Sequence, residues 1–382
     1  MAGIYIHIPF CKQACTYCNF HFSASLALKD KMIEAIVREI ELTNPFNDTG
    51  DKISSIYFGG GTPSILPVSD IKLILEKLYE KFNIDSNAEI TLEANPDDIV
   101  IDKPEQWLDA GINRLSLGVQ SFVEPELVWM NRAHHAEESL QSIKRIRDAG
   151  FSNFSADLIY GSQLQSNDDL ARNLTILFEE DVPHISCYAL TMESNTALFH
   201  QVEKKGAQPI DAEKQAAQFF LLMEKMEANG YEHYEISNYA KPGMRSKHNS
   251  NYWLQSPAGF GIPYYGFGPS AHSFDGNKKR KWNIANNALY IKSIENNLIP
   301  TEEETLTDVQ KLNEYIMTSL RTIEGLNLQL VLKYSGKPFY ETLVNLGKKY
   351  IDTGKLVLKN NSLILTKEGK LFADGIAADL FF

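Results

Sequence analysis

The placement of its cysteines constrains this chain more than any other feature. Three of the four, Cys11, Cys15 and Cys18, fall within eight positions at the exit of the β-branched run Ile4–Ile8. A disulfide framework spreads its thiols along the chain, so three gathered in one loop read as metal ligands in a reducing compartment. C-x3-C-x2-C spacing can hold three irons of a [4Fe–4S] cubane and leave the fourth open as a reaction site. Zinc also accepts short Cys spacings, and it needs a fourth ligand that His7 or His21 can supply. The remaining thiol, Cys187, lies in an apolar run and is expected to be a buried core residue.

Around that loop, β-branched runs alternate with helical patterns. Expected strands are Ile4–Ile8, Ile53–Phe58, Glu89–Glu93, Arg114–Gln120, Phe154–Ile159 and Ile185–Leu190, with helices near 27–43, 69–81, 104–110, 124–130, 136–149 and 168–180. Such alternation implies an α/β fold with a parallel sheet and right-handed crossovers, either doubly wound or an incomplete barrel. Ligands of parallel sheets bind at the carboxyl ends of the strands. The candidates there are the cysteine loop, the glycines of Phe58-Gly59-Gly60-Gly61-Thr62-Pro63, and Glu93, Gln120 and Asp157.

The pattern changes after residue 210. A helix near 212–229 leads into a Tyr-rich stretch, and 240–286 reads as a long loop, rich in Gly, Pro, Ser and Asn, whose aromatics (Tyr252, Trp253, Phe260 and Tyr264 among them) argue against disorder. From about 305 the expectation is helix, helix, a hairpin through Lys359–Ser362, and a last helix near 367–379, a small winged-helix-like α+β unit. The expected division is 1–210, 211–304 and 305–382.

The formal net charge of −12 disfavours nucleic acid as a partner, despite the basic run Lys278-Lys279-Arg280-Lys281. There is no apolar run of spanning length and no secretory leader pattern, so a cytoplasmic protein is expected.

An open iron can chelate the amino and carboxylate groups of S-adenosylmethionine, and one electron from the cluster then cleaves a carbon–sulfur bond. Tyr5-Ile6-His7-Ile8-Pro9-Phe10-Cys11 and the two thiols that follow resemble the signature of the radical-SAM superfamily, in the branch that holds coproporphyrinogen dehydrogenases (HemN) and HemW-type proteins. The similarity runs through nearly the whole chain and implies a partial (β/α)6 barrel. It carries Gly60, Gly61 and Thr62 to the methionyl end of the cofactor and Arg132 to its carboxylate. Tyr5 and Tyr17 go beside the cluster, and Ala189 and His272 near the adenine. Glu93, Gln120 and Asp157 share the same rim, where carboxylates and amides suit ribose hydroxyls.

The dehydrogenase branch has a further cysteine two residues after Cys18, where this chain has Phe20, and a longer N-terminal extension. Both departures point to the HemW-type branch. His248-Asn249-Ser250-Asn251-Tyr252-Trp253 looks like the H-N-x-x-Y-W element associated with heme binding there, with His233 and His272 as competing imidazoles. The resemblance implies a heme chaperone that meets heme and heme-accepting proteins, with a homodimer and peripheral membrane association as further family properties. The alternative is oxygen-independent coproporphyrinogen III decarboxylation. An RNA-modifying role fits the net charge poorly.

Overall fold

The computed structural model describes residues 1–46, 52–206, 208–254 and 261–382. Its frame is a run of six parallel strands in sequence order: β1 (Ala2–Ile8), β2 (Lys52–Gly60), β3 (Asn83–Ala94), β4 (Arg114–Gln120), β5 (Phe154–Tyr160) and β6 (His184–Ala189). Helices Lys29–Leu42, Val68–Lys81, Lys103–Asp109, Glu124–Trp129, Ala136–Asp148 and Asn167–Glu179 provide the crossovers. Each expected strand and helix is present, with its ends moved by a few residues.

The period-two alternation of side chains explains why this sheet curls around a polar interior. Ile4, Ile6, Ile8, Phe58, Leu92, Leu115, Leu117 and Leu158 are fully buried in the apolar layer shared with the helices, as are Met32, Ile36 and Ile40 of Lys29–Leu42. The intervening residues, Tyr5, Ser55, Tyr57, Glu89, Glu93, Arg114, Ser116 and Asp157, meet one another inside the barrel instead. Cys187 lies in the apolar layer, 3% exposed, as expected.

The sheet continues beyond the six strands. Strands β7 (Glu232–Glu235) and β8 (Asn238–Ala240) add antiparallel to β6, and β9 (Tyr264–Phe267) adds parallel to β1. Strands β10 (His272–Phe274), β11 (Lys279–Asn283) and β12 (Thr301–Thr305) follow, making twelve described strands in one sheet. Segment 240–286 is therefore not the long loop expected of it: its described part holds a helix and three strands. Their strands are only three to five residues long, too short for periodicity to register. Residues 255–260, including Phe260, lie outside the described residues.

The helix in that segment, Lys247–Asn251, closes the base of the barrel. The Glu89 carboxylate accepts the amides of Lys247 (3.1 Å) and His248 (3.0 Å) and the Ser246 hydroxyl (3.3 Å), which places a charge at a helix N-terminus. Arg114 Nε stands 3.9 Å from the same carboxylate. His248 is 3% exposed: Nδ1 is hydrogen-bonded to Ser55 Oγ (2.9 Å), Nε2 to the Tyr252 hydroxyl (3.1 Å), and the ring stacks on Tyr57 at 4.9 Å.

Burial, with the positive charge of Arg114 nearby, pulls the His248 imidazole down to about 3. A buried base depressed in this way adds stability above its unfolded value, about 6.5, and that contribution is lost as pH falls toward 3. The stability gap between the native protein and His248→Gln is expected to narrow below pH 6.5 by about 1.4 kcal/mol per pH unit. Urea unfolding of both proteins at several pH values measures this gap. The buried carboxyls Glu39 and Glu93, which burial pushes up to about 7, titrate in both proteins and so cancel from the difference. A gap independent of pH would show that the imidazole is not held neutral.

A second apolar core, with Leu312, Ile316, Leu343, Leu363 and Ile376, forms the C-terminal unit around a three-stranded sheet. That sheet comprises β13 (Leu326–Asn327), β14 (Leu356–Lys359) and β15 (Ser362–Leu365). Three helices precede the hairpin where two were expected, and the last helix is two short ones, Lys367–Lys370 and Ala373–Asp379. The break at Leu371-Phe372 leaves the Phe372 ring 47% exposed. Among the described residues, no helix is long and apolar enough to cross a membrane.

Candidate functional site

The cysteine loop is tied down on three sides. Beside β1, Cys11 N–H donates to Ser23 O (3.0 Å) and Ser23 N–H to Pro9 O (2.9 Å). Lys12 pairs with Asp97 (2.7 Å) and Asp98 beyond β3. Asn131, in the left-handed region at φ 56°, donates to Ala14 O (2.7 Å) and accepts from Gln13 (2.7 Å). The three thiols are half-buried on this frame. Burial pushes the Cys11 thiol up to about 11 and raises Cys18 as well, while the positive charge of Arg132 opposes both shifts.

The glycine segment leaves β2 directly against this loop. Gly61 N–H donates to Ile8 O (2.9 Å) and Thr62 N–H to Phe10 O (2.7 Å). Gly60 has φ 108°, and a Cβ there would meet the His7 ring at 2.6 Å; a Cβ at Gly61 would run into the Phe10 carbonyl. The glycines are thus required for strand exit and thiol loop to touch.

One cavity of about 1220 Å3 opens at the strand ends. It brings together Cys11, Cys15, Cys18, Tyr17, Gly60, Gly61, Thr62, Glu93, Gln120, Arg132, Asp157 and Ala189. Glu93 accepts from the Tyr57 hydroxyl (2.8 Å) and Gly60 N–H (3.2 Å), and burial followed by the charge of Asp157 pushes it up to about 7. Burial also raises Asp157, whose Oδ2 accepts from Ser116 (3.3 Å) while Oδ1 is buried without a partner. Gln120 sits at φ 65°, a conformation costing of order 1–3 kcal/mol that clusters at functional sites. Arg132 donates to Cys15 Sγ (3.3 Å), Tyr17 Oη (3.4 Å), Asn95 Oδ1 (2.7 Å) and Gly118 O (2.9 Å), and its Nε has no partner.

Several expected site residues are elsewhere. Tyr5 does not line the cavity; its hydroxyl meets His7 Nδ1 at 3.1 Å and its ring stacks on Tyr57 at 6.2 Å. His272 is separated from the site because β9 and β10 extend the sheet beyond β1, and it is exposed on β10 and stacked on Trp282. His248, Asn249, Tyr252 and Trp253 belong to the base plug, at the end of the barrel opposite the thiols. His233 is hydrogen-bonded to Ile236 O (3.0 Å) and stacked on Tyr239. Sequence reasoning missed Asn95, Tyr57, Arg321, Lys370 and Phe372, which also line the cavity. Nothing local marks Tyr57, Arg321 or Lys370.

The donor set fits a cluster with an open iron. His7 Nε2 is engaged with His21 O (2.9 Å) and His21 Nε2 with Asn287 (2.7 Å), so neither imidazole is turned toward the thiols as the zinc alternative would require. Among the described residues, no group of three or more His, Cys, Asp or Glu side chains is placed to hold a single metal ion. The unpartnered Arg132 Nε and Asp157 Oδ1 are polar groups left for a ligand within the same cavity walls.

An open parallel barrel with three thiols at its mouth is the architecture of a radical-SAM protein, and residues 5–175 match the Radical SAM superfamily model. Residues 306–372 match the HemN C-terminal domain. The chain is 32% identical to the heme chaperone HemW of Bacillus subtilis over 381 residues, covering 98% of each chain. It is 32% identical to that of Lactococcus lactis, covering 87% of this chain and 84% of the relative. It therefore belongs to the HemW family. The solved structure of coproporphyrinogen III oxidase (HemN) from Escherichia coli shares the fold, with a TM-score of 0.85 at 21% identity over 100% of this chain and 90% of that one. Radical-SAM membership implies a [4Fe–4S] cluster and S-adenosylmethionine.

Proposed function

We propose that this chain is a heme chaperone that takes up heme and passes it to heme-dependent proteins, with a [4Fe–4S] cluster and S-adenosylmethionine at the barrel mouth. The observation that carries this reading is the 32% identity to a HemW protein along 98% of both chains. Cys11, Cys15 and Cys18 would hold the cluster, which with S-adenosylmethionine would supply one-electron radical chemistry at the barrel mouth.

The protein's own groups then hold the rest of the nucleotide. Arg132, beside Cys15, would offer positive charge to the cofactor carboxylate. Gly60, Gly61 and Thr62 present backbone to the methionyl chain. Glu93, Gln120 and Asp157 line the wall for ribose hydroxyls, and Ala189 leaves room for the adenine.

For His248 to ligate a heme iron, its bonds to Ser55 and Tyr252 must break and the plug must leave the barrel base. The H-N-x-x-Y-W segment acts, in this reading, by building that plug.

The test is transfer of heme from reconstituted protein to an apo-acceptor under anaerobic conditions, with and without S-adenosylmethionine, followed by the acceptor's Soret band. Acceptor loading faster than from free heme is expected. Sustained, stoichiometric carbon dioxide release from coproporphyrinogen III under the same conditions, without heme transfer, would replace this reading with decarboxylation.

A further inference from the structure

The cavity at the barrel mouth has to take the cluster as well as the nucleotide cofactor, and its lining reaches past the strand ends to the C-terminal unit. Pockets for a single small ligand run to about 300–1,000 Å3, and this one reaches about 1220 Å3. The strand ends described above form its inner wall. The C-terminal unit and the cysteine loop form the outer part, with Phe20, Arg321, Lys370 and Phe372.

Those outer residues share a chemistry. Phe20 is 67% exposed and Phe372 47% exposed. Singly, an exposed Phe needs no explanation, but here two of them border one cavity. Lys370 is half-buried, its ammonium 3.4 Å from His233 O, and among the described residues it has no carboxylate at ion-pair distance. Burial and then Lys367 pull it down to about 8, which leaves it mostly charged at neutral pH. Arg321 pairs with Glu235 (3.3 Å) and with Asp374 (2.7 Å), whose side chain is 82% exposed and can yield to a competing carboxylate. The guanidinium of Arg321 also stands 5.7 Å from the Trp253 ring, so the plug motif meets the cavity wall there.

Aromatic faces beside cations suit a flat apolar macrocycle with carboxylates on one edge. Resting on the heme-cargo reading above, we propose that the tetrapyrrole binds in this outer chamber, packed on Phe20 and Phe372 with its propionates on Lys370 and Arg321, and not on the buried His248. The assignment places heme and S-adenosylmethionine in one continuous cavity, so that occupancy of either is felt by the other. The C-terminal unit is then part of the heme site, and the H-N-x-x-Y-W segment influences it through Trp253 and Arg321.

The test titrates cluster-loaded protein with hemin and with metal-free protoporphyrin IX, following the Soret band and porphyrin fluorescence. Lys370→Glu is expected to weaken both about tenfold or more, Lys370→Arg to stay within about threefold, and Phe372→Ser to weaken both severalfold. A carboxylate-free octaalkylporphyrin is expected to bind native protein and Lys370→Glu alike. The iron–sulfur absorbance and circular dichroism of each variant show that it is folded. Native affinity of Lys370→Glu for both propionate porphyrins overturns the assignment, as does their loss in a folded His248→Ala that Lys370→Glu does not share. Failure of native protein to bind either porphyrin overturns the heme reading itself.

Discussion

Cys15→Ala protein, reconstituted anaerobically with iron and sulfide, is expected to hold no stable [4Fe–4S] cluster, and Cys11→Ala and Cys18→Ala to behave alike. Each thiolate would anchor a different iron, so the loss of one would leave a corner of the cubane unheld. Burial pushes Cys11 up to about 11, so the loop favours protonated thiols until irons arrive. Ligation by thiolates releases the thiol protons as iron binds. Cys187→Ala is the internal control, because that thiol is buried in the apolar layer between sheet and helices. Iron and sulfide per chain, with the visible absorbance, decide the matter. A native spectrum from any of the three loop variants would remove that residue from the ligand set.

The second large effect is expected at Glu89, which lies far from the thiols. Glu89→Ala leaves the amides of Lys247 and His248, the Ser246 hydroxyl and the Arg114 guanidinium facing a void at the barrel base. Arg114 is 2% exposed, and its Nε and Nη2 already lack hydrogen-bond partners. Removing one member of a buried charge pair costs about 3–5 kcal/mol, because the other charge stays behind uncompensated. Glu89→Gln keeps acceptor capacity for the helix amides and is expected to lose less. Urea unfolding gives the stability change, and hydrogen exchange over 246–254 shows whether the plug opens first. A loss below about 1 kcal/mol for Glu89→Ala would mean that the base is not held by this carboxylate.

Both predictions separate what could be read in advance from what could not. The six parallel strands were legible because β-branched runs alternate with helical patterns along the first half of the chain. The thiol loop, the glycine segment, Glu93 and Gln120 were legible because strand-end position is itself local, whereas Asp157 lies inside β5 and Arg132 was marked only by the family resemblance. Other roles are not local. Ser55, Tyr57 and Glu89 are ordinary strand residues until the sheet curls and they face one another. His248 reads as a loop histidine until Glu89, 159 positions earlier, caps its helix and Ser55 takes its imidazole.

What the sequence determined alone is therefore the donor set of the mouth: three thiols in one loop, on a strand exit that glycines bring close. Tertiary structure alone decided where the other motif went and what completes the cavity. Hydrogen bonds across 159 and 193 residues drew the H-N-x-x-Y-W segment into the barrel base. Packing of the C-terminal unit carried Arg321, Lys370 and Phe372 to the far wall. Such placements depend on contact between distant segments, and no periodicity or spacing along the chain encodes them.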